Sequence, residues 1–123
     1  MLIPHLHFGG NCAEAITLYE MTFDTKAKNY DYRDGRIAHA EMTIHRQKIY
    51  LNDGKEHFTD VFGVNCATHL ILTFKTSKEL LACYEKLKDG SPVPVPFHET
   101  PYSKLTGNFM DKMGILWGFI VVK

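Results

Sequence analysis

The sequence predicts an α+β fold made of two related β-α-β-β-β halves. Three observations carry this expectation: two amphipathic helices with matching start signals, runs of alternating polar and apolar residues around each helix, and an internal correspondence between the two stretches. Asn11, Glu14, Ile16, Tyr19 and Glu20 match Thr76, Glu79, Leu81, Tyr84 and Glu85 at a constant offset of 65, as a duplicated unit would produce. His5-Leu6 matches His69-Leu70 at an offset of 64. A chain of 123 residues, 45% of them apolar, holds one core and buries roughly two thirds of its unfolded surface. The expected layout is a single domain over 1–123, with module one at about 1–53, a connector at 54–66 and module two at 67–123.

Residues 3 to 9 alternate, Leu6 and Phe8 against His5 and His7, which reads as a half-buried strand. Asn11 and Glu14 are spaced as a capping box, and Cys12, Ala15, Ile16, Tyr19 and Phe23 follow at helical spacing as one apolar stripe. Asp34-Gly35 joins two strand-like runs, 26–33 and 37–45, because that pair tolerates the positive φ of a tight hairpin. In the second run Ala38, Ala40, Met42 and Ile44 share one face, and His39, Glu41, Thr43 and His45 share the other. A further strand near 48–52 completes the first half.

The second half repeats the order. Leu70, Leu72 and Phe74 oppose His69, Ile71 and Thr73. Thr76 and Glu79 form a second capping box, Leu80, Tyr84 and Leu87 share a helical face, and Gly90 is a C-terminal cap. Pro92, Pro94 and Pro96 confine the next strand to a sheet edge, since proline cannot donate to the ladder. Residues 107–111 and 115–122 close the half as a hairpin.

Fourteen Lys and Arg balance fourteen Asp and Glu, so no basic run supplies the phosphate-neutralising surface that nucleic acid requires. Cys12, Cys66 and Cys83 are odd in number and lack C-x-x-C spacing, which points away from a disulfide framework or zinc knuckle and toward a reducing cytoplasm. The sequence shows no signal-like start and no apolar run long enough to span a membrane.

The motifs Phe8-Gly-Gly-Asn-Cys-Ala-Glu-Ala15, Ile37-Ala-His-Ala40 with Leu51-Asn-Asp53, and His98-Glu-Thr100 with Gly107, Asp111, Gly114 and Trp117 together resemble the vicinal oxygen chelate superfamily of glyoxalases, bleomycin-resistance proteins and extradiol dioxygenases, in its PhnB-like branch. The resemblance implies two β-α-β-β-β modules curling into an incomplete barrel, helices outside and a ligand cleft inside. It also implies a homodimer, which exposed strand edges would favour. In metal-dependent members a first-strand His precedes the helix cap by seven residues. His69 fits before Thr76, and His5 fits at six residues if Gly9-Gly10 bends the strand. The last-strand carboxylate of those members falls at Gly118, which has no ligating side chain.

Parity places His5, His7, His39, Glu41 and His69 on the polar sides of their strands. Imidazoles and a carboxylate can hold zinc, nickel, iron or manganese, so the candidate metal set is His5, His69 and Glu41, with Asp53 as another oxygen source and His39 as the catalytic proton carrier. The alternative is a polar, metal-free cleft lined by the same histidines. His7, Glu99, Tyr102, Leu116 and Ile120 are candidate cleft residues, Glu99 and Tyr102 as a loop that borders the ligand. Trp117 belongs to the core. Cys12, on the apolar stripe, is a buried and inert thiol rather than an activated one.

Two functions follow: a small-molecule-binding protein with a His-lined cleft, or a divalent-metal-dependent enzyme of isomerase, lyase or dioxygenase type acting on vicinal oxygens. No glycine-rich nucleotide loop follows a strand, so a methyl-donor cofactor is not expected.

Overall fold

The structure, a computed structural model, describes residues 1–57, 68–90 and 96–123. Most of the predicted connector, together with Cys66, Pro92 and Pro94, lies outside the described residues. The chain divides into two compact units, Met1–Asn65 and Cys66–Lys123.

Unit one runs β1 (His5–Phe8), α1 (Cys12–Phe23), β2 (Lys28–Arg33), β3 (Arg36–Ile44) and β4 (Gln47–Asp53). Its sheet order is β1-β4-β3-β2, with β1 parallel to β4 and the other neighbours antiparallel. Unit two repeats this as β5 (Leu70–Thr73), α2 (Ser77–Leu87), β6 (His98–Thr100), β7 (Ser103–Met110) and β8 (Leu116–Val122). The order is β5-β8-β7-β6, again with its first strand parallel to its last. The duplication seen in the helices therefore extends to the whole topology, where the later strands match in sequence only by pattern. β6, next after the prolines, lies at a sheet edge as expected.

In unit one the apolar stripe of α1 lies on β3 and β4. Cys12, Ala15, Ile16 and Tyr19 are buried, as are Ala40, Met42, Ile44, Ile49 and Leu51 opposite them. The Asp34-Gly35 turn has positive φ at both residues. His45 and Arg46 also have positive φ and form the β3–β4 turn, so His45 leaves the polar face on which parity puts it. Its ring instead stands edge-on to Phe23, 6.2 Å between centroids. Left-handed backbone without glycine costs about 1–2 kcal/mol per residue, so this turn is held by the strands it joins.

The two helices start differently. Thr76 caps α2 as predicted, its Oγ1 accepting from Glu79 N at 3.1 Å. Asn11 makes no side-chain cap bond, contrary to the capping-box expectation. Asp53, at the end of β4, takes its place: Oδ1 accepts from Gly10 N and Cys12 N, both at 2.9 Å, and Oδ2 accepts from Ile37 N at 3.2 Å. One carboxylate thus ties the α1 N-terminus to β3 and β4, with the sign that a helix start favours.

α2 buries Leu80 and Leu87, whereas Leu81 is 43% exposed, so its contacts are not equivalent to those of Ile16 in α1. Its Tyr84 ring meets the edges of Phe97 and Phe109. Gly90 has positive φ but stands beyond the actual C-cap, Lys88. Trp117 is core, as predicted, and its Nε1 donates to Asp111 Oδ2 at 2.9 Å. Asp111 Oδ1 accepts from Met113 N and Ile115 N, which closes the β7–β8 hairpin. A β-carbon on Gly107 would stand 2.7 Å from the Phe97 ring. Four of the motif residues behind the resemblance, Asp53, Gly107, Asp111 and Trp117, are therefore fastenings of the fold.

Candidate functional site

Among the described residues, the face of unit one's sheet opposite α1 carries a close group of chemically competent side chains. Register places His5 beside Tyr50 and Tyr50 beside Glu41, and sets His7 beside Asn52. Period-two alternation, which puts Leu6, Phe8, Ala40, Met42, Ile49 and Leu51 into the core, leaves these residues together on the other side.

Each imidazole has a distinct environment. His7 Nδ1 is 2.7 Å from Asn52 Oδ1. An amide oxygen only accepts, so Nδ1 carries the proton in this bond. The His5 and His7 rings are 4.2 Å apart between centroids. His5 is held below the ordinary imidazole pKa by burial, then by repulsion from His7 and His39, so it is neutral at pH 7. His39 Nε2 donates to Glu41 Oε2 at 2.9 Å, and its ring lies edge-on to Tyr50 at 4.8 Å. That bond, followed by one from Asn29, holds the Glu41 carboxyl below its usual range. Glu41 Oε1 is also 3.8 Å from Lys48 Nζ. The result is a row of oriented donors and acceptors in which the Glu41 carboxylate is already satisfied.

The remaining predicted residues lie in unit two. Leu116 and Ile120 are half-buried on β8. Glu99 pairs with Lys123 Nζ at 2.9 Å, and Tyr102, 65% exposed, accepts at its backbone oxygen from Lys123 N. His69 packs over Gly118, where a β-carbon would meet Asn108 Oδ1 at 2.9 Å and His69 Nε2 at 3.1 Å. Cys12 is fully buried, and its thiol is pushed up to about 12 by burial and then by Asp53. It is inert, as its position on the stripe implied.

Of the donors expected to hold a divalent metal, His5 and Glu41 lie in unit one and His69 lies in unit two. Glu41 is committed to His39, Asn29 and Lys48, and Asp53 is committed to three backbone N–H groups. The space over Gly118 is filled by Asn108 and His69. Among the described residues no group of three His, Cys, Asp or Glu side chains is arranged to hold a metal ion.

Sequence reasoning passed over Tyr50 and Asn52, although their alternation with Ile49 and Leu51 is the same signal that singled out His39 and Glu41. Asn108 gave no such signal, because its place opposite Gly118 depends on hairpin register.

No family model matches the chain. Protein YjdN of Escherichia coli K12 is 25% identical over 147 aligned positions, covering 99% of this chain and 95% of that protein. Among solved structures, a PhnB protein from Bacillus cereus described as a putative 3-demethylubiquinone-9 3-methyltransferase superposes with a TM-score of 0.83. It shows 25% identity and 98% coverage of both chains. A glyoxylase/bleomycin resistance protein/dioxygenase domain from Frankia has a TM-score of 0.75, 19% identity, and covers 100% of this chain and 97% of its own, a likeness of fold. By its two β-α-β-β-β units and these full-length similarities, the chain resembles the PhnB-like proteins of the vicinal oxygen chelate superfamily and shares their fold.

Proposed function

We propose that the protein binds a small organic molecule on the polar face of unit one's sheet, with His5, His7, His39 and Tyr50 as the contacting groups. The observation that carries this is the His7–Asn52 bond beside the His5 ring. It fixes an imidazole ring on a rigid sheet, a preorganisation that packing alone does not require. Within unit two, Leu116 and Ile120 are half-buried apolar side chains of β8, and Glu99 and Tyr102 stand on the β6–β7 hairpin. The methyltransferase wording attached to the Bacillus cereus protein is not carried over, because this chain has no glycine-rich nucleotide loop.

A second reading, proton transfer on the bound molecule, is favoured by the His39–Glu41 bond. A carboxylate that fixes one ring nitrogen leaves the other free to exchange a proton with a ligand. A metal-dependent mechanism gains no support from the donor set, since Glu41 and Asp53 are already committed to other partners. Three cysteines, odd in number and without C-x-x-C spacing, support a reducing, cytoplasmic setting. β2, exposed at all six residues, offers an open edge for the expected homodimer.

The test is a titration with hydroxyacetone, catechol and lactate while the histidine ring carbon and proton resonances are recorded. Saturable shifts at His5, His7 and His39 are expected, and Asn52→Ala should weaken binding about fivefold, the worth of one orienting hydrogen bond. Binding that leaves all three rings unmoved would refute the assignment.

A further inference from the structure

Gly118 is buried, yet the two side chains over it, Asn108 and His69, are exposed. The β7–β8 register sets Asn108 opposite Gly118, and the β5–β8 register sets Ile71 opposite it on the other side. His69 reaches the same spot from just ahead of β5. Its Cδ2 and Nε2 would lie 3.0 and 3.1 Å from a β-carbon at 118, and Asn108 Oδ1 would lie at 2.9 Å. Only glycine leaves room for this juxtaposition. Among the described residues, neither the Asn108 amide group nor the His69 ring has a hydrogen-bond partner.

The surroundings decide what such a pair can take. Ile71, Leu116, Ile120, Thr106 and Met110 share this face through the same registers, and none is charged. Ile71 is 65% exposed. A cation there would find no carboxylate, and a catalytic metal needs about three protein donors. Among the residues that these registers bring beside the pair, an anion would find no Lys or Arg. An uncharged oxygen on an apolar body suffers the smallest desolvation cost, gains donors from an amide and an imidazole, and covers exposed isoleucine.

We infer that Asn108 and His69, seated over Gly118, form a hydrogen-bonding pair that takes an uncharged ketone or alcohol oxygen of an apolar ligand directly, without a resident metal ion. This rests on the small-molecule reading above and adds the ligand class and a second contact surface. It also assigns Gly118 a role: it admits the pair.

The experiment uses the full chain, isotope-labelled so that the Asn108 side-chain amide and the imidazoles are resolved. Cyclohexanone, cyclohexanecarboxylate and cyclohexylammonium are added separately at millimolar concentration, and zinc and manganese chlorides at one equivalent. Cyclohexanone should shift Asn108 and His69 saturably, and the charged probes and metals should not. Asn108→Ala, at an exposed position, should weaken the response about fivefold. Gly118→Ala, which displaces both side chains, should weaken it at least as much. Stoichiometric metal binding lost in His69→Ala would overturn the inference, as would preference for either charged probe. Cyclohexanone shifts confined to His5, His7 and His39 would overturn the pair and leave the small-molecule reading standing. No response to cyclohexanone anywhere overturns the pair, and with no response to hydroxyacetone, catechol or lactate either, the broader reading falls too.

Discussion

Removing the Asp53 carboxylate is the perturbation whose consequence the structure defines most sharply. In Asp53→Ala three backbone donors lose their acceptor. Gly10 is exposed and recovers a bond from water, but Cys12 is fully buried and Ile37 is 4% exposed. Each orphaned buried donor costs about 1–3 kcal/mol, and the lost carboxylate at the start of α1 adds about 0.5 kcal/mol. The sum, about 2.5–6.5 kcal/mol, is a large part of the 5–15 kcal/mol typical of such domains. At about 4 °C per kcal/mol for a chain of this size, Tm should fall by about 10–26 °C. The assay is urea unfolding followed by circular dichroism, with thermal melts in parallel. Asn11→Ala is the control: the sequence names Asn11 as the cap, but its side chain makes no cap bond, so it should cost under about 0.5 kcal/mol. If Asp53→Ala costs less than about 1 kcal/mol, or if Asn11→Ala costs more than Asp53→Ala, the reasoning is refuted.

Trp117→Phe should destabilise by about 1–3 kcal/mol, because Asp111, 1% exposed, would keep a buried oxygen with no indole donor; retention of wild-type stability in urea would contradict this. His5 should titrate below 6.5 by NMR, and His7→Gln should raise its midpoint by removing one repelling neighbour. Because the folded-state value is depressed, His5 contributes stability fully above about 6.5 and loses it as pH falls through the folded value. Cys12 should resist iodoacetamide at pH 8 until the chain unfolds, given a thiol pushed up to about 12 and complete burial; fast native-state alkylation at Cys12 would show that the α1 N-terminus opens.

Much of the fold was legible because it rests on short-range regularities. Alternation in β1, β3 and β5, the helical stripe from Cys12 to Tyr19, the Thr76 cap and the Asp34-Gly35 turn all express backbone periods or local sterics acting within a few residues. The same parity brought His5, His7, His39 and Glu41 to one face. It erred at His45, where a two-residue turn reverses the direction that alternation assumes.

By itself the sequence determined the α+β class, the two repeated halves and the polar identity of unit one's open face, since side-chain period and turn chemistry are written in consecutive residues. Only the tertiary structure decided how those groups are used. Asp53 caps a helix that begins 41 residues earlier in the chain, His7 is oriented by Asn52 from a neighbouring strand, Glu41 is spent on His39, and Asn108 meets His69 over Gly118. Each of these depends on strand register and hydrogen-bond competition between distant segments. A local pattern carries no information about which acceptor an orphaned donor will find.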